Sequence, residues 1–134
     1  MMKAKTTSAF DALNPAQRRA ATFGAPVKDK GITAGPLLIL AGAGTGKTNT
    51  LAHRTAHLVL NGVDPARILM LTFTRRAAQE MIRRAQTIVT EVLSDRGKMG
   101  DRSVQSRLLW SGTFHSVGNR ILRQFAKHLS LIHI

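Results

Sequence analysis

The chain has 134 residues, with 20 Lys or Arg against 7 Asp or Glu, which gives a formal charge of +13. That length suits one domain, the absence of cysteine excludes disulfides, thiolate metal sites and a cysteine nucleophile, and so large an excess of cations points to a polyanionic partner. One Trp, five Phe and no Tyr are too few for a broad base-stacking platform, and no apolar run reaches the ~20 residues of a membrane span.

Residues 1–12 read as a flexible polar tail. Met1–Ser8 lacks the apolar core of a secretion signal, so a cytoplasmic protein is expected. Asn14-Pro15 starts a short helix running to about Thr22: Asn can accept from free first-turn N–H groups, and Pro suits the first helical position. Gly24 to Pro36, rich in Gly and Pro, reads as a loop. Leu37-Leu38-Ile39-Leu40 is a compact apolar run and predicts a buried strand of a parallel sheet.

A glycine-rich turn follows, then a helix from Lys47 to Leu60 with Leu51, Thr55, Leu58 and Val59 on its buried face and Asn61-Gly62 as its stop. Ile68 to Phe73 predicts a second strand, and Thr74 a cap for a helix from Arg75 to Leu93. Its apolar stripe is Ala77, Ala78, Met81, Ile82, Ala85, Ile88 and Val89. Ser94–Ser103 reads as a loop, Leu108–Phe114 as a third strand and His115–Leu129 as a final amphipathic helix. Alternating strands and helices imply an α/β fold with a mainly parallel sheet.

The richest chemistry lies in Ala41-Gly42-Ala43-Gly44-Thr45-Gly46-Lys47-Thr48, a match to G-x-x-x-x-G-K-[ST] with Ala in the first position. Small residues let backbone N–H groups curl around a phosphate. Lys47 has the reach to contact β- and γ-phosphate oxygens, and the Thr48 hydroxyl suits a Mg²⁺ bridging them. An ordinary glycine turn is the bland alternative; the strand expected before the motif and the helix after it argue against that reading. Hydrolysis by this class also uses a strand-end carboxylate. None of Asp11, Asp29, Asp64, Glu80, Glu91, Asp95 and Asp101 follows a buried apolar strand, so a complete hydrolytic centre is not expected within these residues.

In its order of blocks the chain resembles the amino-terminal part of the motor domain of UvrD/Rep/PcrA-type superfamily 1 DNA helicases. Leu13-Asn14-Pro15-Ala16-Gln17-Arg18 resembles the block whose glutamine recognises adenine, and Leu40–Thr48 the family's phosphate loop. Ile68–Met81 resembles the first DNA-contact block and Gly112-Thr113-Phe114-His115-Ser116 the second. Arg75-Arg76 replaces the Asn-Lys of many relatives, and Asn49 stands where many have Arg.

The resemblance implies an incomplete RecA-like P-loop NTPase, a parallel sheet flanked by helices. Residues 13–128 would be the domain part, and 129–134 an unassigned tail unlike the family's continuation. It also implies ATP and Mg²⁺ as cofactors, Gln17 as adenine contact, and single-stranded or duplex DNA as partner. Phe73, Thr74, Arg75, Thr113, Phe114 and His115 would be the DNA contacts, in a 3′-to-5′ translocase that serves DNA metabolism such as repair.

Plainer readings stand beside these. Phe73 is equally a core residue, His115 equally a packing residue, and Arg83 and Arg84 read as a solvated helix face, whereas Arg75 and Arg76 open a helix and suit phosphates. His53 and His57 lie four apart on one helix, but with no third ligand nearby they read as structural. Two other functions compete: a phosphate-loop kinase for a small molecule, which leaves the +13 charge unexplained, and a non-catalytic basic binding module.

Overall fold

A computed structural model of the chain describes residues 9–28, 31–44, 46–95 and 110–129. The expected loop Ser94–Ser103 falls largely outside these residues, as do the start of the tail and most of the last six positions.

The chain enters the fold earlier than the tail reading allowed. Ala9–Ala12 is a 3₁₀ turn with Phe10 buried. The Phe10 ring stands edge-on to His53 and His57, with ring centroids 5.4 and 6.1 Å away. Removing such a ring from water is worth about 2 kcal/mol, which outweighs the freedom of a short polar lead-in. Helix α1 (Pro15–Ala21) then starts where Asn14-Pro15 predicted. Asn14 Oδ1 accepts from Gln17 N–H at 2.9 Å, and Gln17 Oε1 accepts from Asn14 N–H at 3.1 Å, a reciprocal capping box.

The expected loop holds a small hairpin instead. Strands β1 (Ala25–Val27) and β2 (Gly31–Thr33) pair antiparallel, with Ala25 opposite Thr33 and Val27 opposite Gly31. Every residue of β1 is exposed, so no alternation of apolar and polar residues marks it in the sequence.

The opposite correction applies to Leu37–Leu40. This run is not a strand: it has no ladder partner among the described residues, and Leu38 and Leu40 are 80% and 86% exposed. An apolar run encodes a tendency to be buried, but a strand also needs a neighbour's N–H and C=O groups.

Helix α2 (Lys47–Leu60) has the expected ends, with Asn61 N–H bonding back to His57 O at 3.1 Å. Its buried face is Thr50, Ala52, His53, Thr55 and Ala56; Leu51, expected inside, is exposed. Leu58 and Val59 are partly buried against the core. Strand β3 (Leu69–Thr72) leads to α3 (Arg75–Asp95), whose Ala78, Met81, Ala85, Ile88 and Val89 are buried as the periodicity predicts, with Ala77 and Ile82 only half-buried and Val92 buried in addition. Strand β4 (Trp110–Thr113) pairs parallel with β3, Leu69 opposite Trp110 and Thr72 opposite Thr113.

Helix α4 (Phe114–Gln124) follows without a break. The Arg120 guanidinium lies 4.4 Å from the centroid of the Trp110 ring, bracing α4 on its own strand. The molecule is therefore α/β, with one core between α1, α2, α3 and β3. Ala21, Ala52 and Ala56 have no exposed surface; their small side chains let α1 and α2 approach closely.

Candidate functional site

The phosphate-loop residues bend as an anion cradle requires. Gly44 and Gly46 have φ of 74° and 81°, in the left-handed region that costs a residue with a Cβ. Gly46 is the N-cap of α2, and no side chain caps that end, so the first N–H groups of a 14-residue helix face outward with its positive dipole end. Lys47 is exposed at the first helical position and Thr48 is half-buried beside it. Thr50 ties the turn down: its N–H and Oγ1 both bond to Gly46 O at 2.9 Å. Ala41 is half-buried, Gly42 and Ala43 are exposed, and Thr45 lies outside the described residues.

Gln17, 29 positions from Gly46 in sequence, closes one side of this turn. A Cβ placed on Gly46 would lie 2.8 Å from Gln17 Nε2. The capping box turns Gln17 Oε1 toward Asn14 while the amide nitrogen meets the loop. Asn14, Gln17, Ala41, Gly42, Lys47 and Thr50 line one cleft of about 320 Å³, floored by Ile39 and Leu40. So two of the residues expected in a buried strand serve as a wall of the site.

Beside Thr48 opens a larger cleft of about 650 Å³, lined by Thr48, Thr74, Arg76, Glu80, Arg83 and Arg84 among others. Glu80 is bonded by Arg84 Nε at 2.6 Å and by Arg83 Nη2 at 2.9 Å. Arg84 first, then Arg83, hold its carboxyl below the usual carboxylate range. Arg83 and Arg84 are solvated as the sequence suggested, with side chains 66% and 41% exposed, and they also line this cleft beside Thr48. Their spacing from Glu80, three and four residues, was the signal available.

The carboxyl ends of the parallel strands bring the two remaining blocks together. The register that sets Thr72 opposite Thr113 places Phe73 beside Phe114, ring centroids 5.5 Å apart and planes at 53°. Phe73 is 91% exposed and Phe114 52%, so the pair offers faces and edges to solvent where core packing was the alternative. Thr74 and Thr113 cap the following helices, their hydroxyls accepting from Ala77 N–H and Ser116 N–H at 3.1 Å. Arg75, Arg76 and His115 are exposed at those helix starts. Cations in a first turn oppose the helix dipole, a cost that a bound polyanion reverses.

His53 and His57 are occupied otherwise. His53 Nδ1 lies 2.8 Å from Asn49 O, and both rings pack on Phe10. No group of three or more metal-ligating side chains occurs among the described residues. Nor does any described helix have the length and apolarity to cross a membrane.

Comparison with known proteins bears on this geometry. The family described as UvrD/REP helicase N-terminal domain matches residues 13–133. Proteins named ATP-dependent DNA helicase PcrA from Leuconostoc citreum and Staphylococcus aureus (strain Mu50) are each 44% identical to the chain over 100 residues. The corresponding protein of Staphylococcus epidermidis is 42% identical over the same length. The aligned stretch is 74% of this chain and 12% of each relative, so the chain spans a small part of the proteins it matches.

Proposed function

Because the chain belongs to the UvrD/REP helicase family, we propose that it is the nucleotide-binding and first DNA-contact part of an ATP-dependent DNA helicase and single-strand translocase. The observation that carries this reading is the left-handed phosphate turn closed against Gln17, with Lys47 and Thr48 at an uncapped helix start.

ATP fits the cleft chemically. Gln17 would meet the adenine edge, the backbone of Gly42, Gly44 and Gly46 would hold the β-phosphate, and Lys47 would reach the terminal phosphates. Thr48 is the hydroxyl ligand available to Mg²⁺, which when bound neutralises phosphate charge. DNA lies across the strand ends, bases against Phe73 and Phe114 and phosphates on Arg75, Thr74, Thr113 and His115. Residues 13–128 then form part of a RecA-like domain. The parent is a cytoplasmic DNA motor of 3′-to-5′ polarity.

A small-molecule kinase accounts for the cradle but not for an exposed aromatic pair flanked by Arg75 and Arg76. A basic module without nucleotide accounts for the aromatic pair but not for the cradle. Calorimetric titration of ATP into the full-length protein and its Lys47→Ala variant decides. The variant is expected to lose measurable binding, since the cation facing the β- and γ-phosphates is gone; equal affinity in both would remove the phosphate-loop assignment.

A further inference from the structure

Helix α1 carries the base-reading Gln17 and α2 carries Lys47 and Thr48, so the cleft is only as well defined as the placement of one helix on the other. The front of α1 is held by its own capping box. Its rear is held by α2. Arg54 Nη1 donates to Ala21 O at 3.3 Å and also to Phe23 O, the carbonyls at and just past the end of α1. Arg54 is half-buried and forms no ion pair with a carboxylate among the described residues. Burial lowers its pKa, a penalty that these two carbonyls offset.

Cationic donors at a helix C-terminus also complement its negative dipole end. Both bonds leave Nη1, which carries two N–H donors and lies one atom further along its side chain than a lysine Nζ, so a lysine at this position falls short of the two carbonyls. Beneath the clasp, Ala21 meets α2 with no exposed surface, leaving no compliant side chain to take up a shift.

We infer that Arg54 is a positioning residue for base selection: by fastening the end of α1 to the helix that starts at the phosphate loop, it sets Gln17 against Gly46. This rests on the reading of Gln17 as the adenine contact. The geometry separates the two halves of the site. Phosphate recognition uses α2 and its own loop. Base recognition needs α1 in register.

Displacement of a fluorescent ATP from the full-length protein by ATP, GTP and inorganic tripolyphosphate tests this, in the parent and in Arg54→Lys, Arg54→Gln, Gln17→Ala and the Arg54→Lys/Gln17→Ala double variant. The ATP-over-GTP preference is expected to fall about fivefold in Gln17→Ala and in both Arg54 variants, the worth of one hydrogen bond. The double variant should fall no further, because both changes remove the same contact. Tripolyphosphate affinity should stay within about twofold throughout.

An unchanged preference in the Arg54 variants, beside a lost preference in Gln17→Ala, overturns the role of Arg54 alone. So does an equal loss for tripolyphosphate, which marks general unfolding of the site, or additivity in the double variant. An unchanged preference in Gln17→Ala overturns the base reading itself and the role of Arg54 with it.

Discussion

Gly44 and Gly46 permit a matched pair of substitutions. Both have positive φ, 74° and 81°, so alanine at either one incurs the left-handed penalty of about 1–2 kcal/mol. They differ in what a methyl group meets. At Gly44 no atom of the described residues lies within 4 Å, whereas at Gly46 the new Cβ falls 2.8 Å from Gln17 Nε2. The Gln17 tip is flexible and can retreat, but only by giving up the bond from Asn14 N–H to its Oε1, which is worth about 1 kcal/mol. Gly46→Ala should therefore be destabilised by roughly 2–3 kcal/mol and Gly44→Ala by roughly 1–2, read from urea midpoints at constant m. The larger difference is functional. Gly46→Ala should lose the ATP-over-GTP preference in a competition assay, while Gly44→Ala weakens both nucleotides alike. If the two variants match in stability and in preference, the contact between Gln17 and the phosphate turn contributes nothing to either.

Phe73→Ala should leave the melting temperature nearly unchanged, since the ring is 91% exposed, yet weaken single-stranded DNA binding by about 1–3 kcal/mol in fluorescence anisotropy. Phe10→Ala should do the reverse, with about 3 kcal/mol lost in chemical denaturation and nucleotide affinity retained by the folded fraction. His57 is held below its ordinary pKa by burial first and by Arg54 second. The unfolded chain therefore binds more protons, and stability should fall as pH drops through the ordinary value of 6.5 toward the folded one. His57→Gln should flatten that part of a stability-against-pH curve; an unaltered slope would place the titrating group elsewhere.

What could be read along the chain was whatever neighbouring residues decide among themselves. Asn14-Pro15 capped a helix, Asn61-Gly62 ended one and Thr74 opened another, because a cap is completed within three residues. The long stripe from Ala78 to Val89 fell on one side of α3 for the same local reason. The bend of the phosphate loop was legible in its glycines, since few other residues tolerate that backbone.

Partnership across distance was not legible. Leu37–Leu40 has the composition of a strand but no ladder to join, and β1 and β2 have a ladder without the composition. Phe10 looked like part of a tail until His53 and His57 supplied a surface for it. Arg83 and Arg84 are solvated as read, but that they share a cleft with Thr48 was not legible. The register of β3 on β4 set Phe73 beside Phe114, and the clasp of Arg54 on α1 accompanies Gln17 against Gly46. By itself the sequence determined the helices, their caps and the phosphate turn, through bonds closed within a few residues. Strand pairing, burial and the meeting of distant side chains were decided only in three dimensions, because each depends on a partner whose distance along the chain no local pattern records.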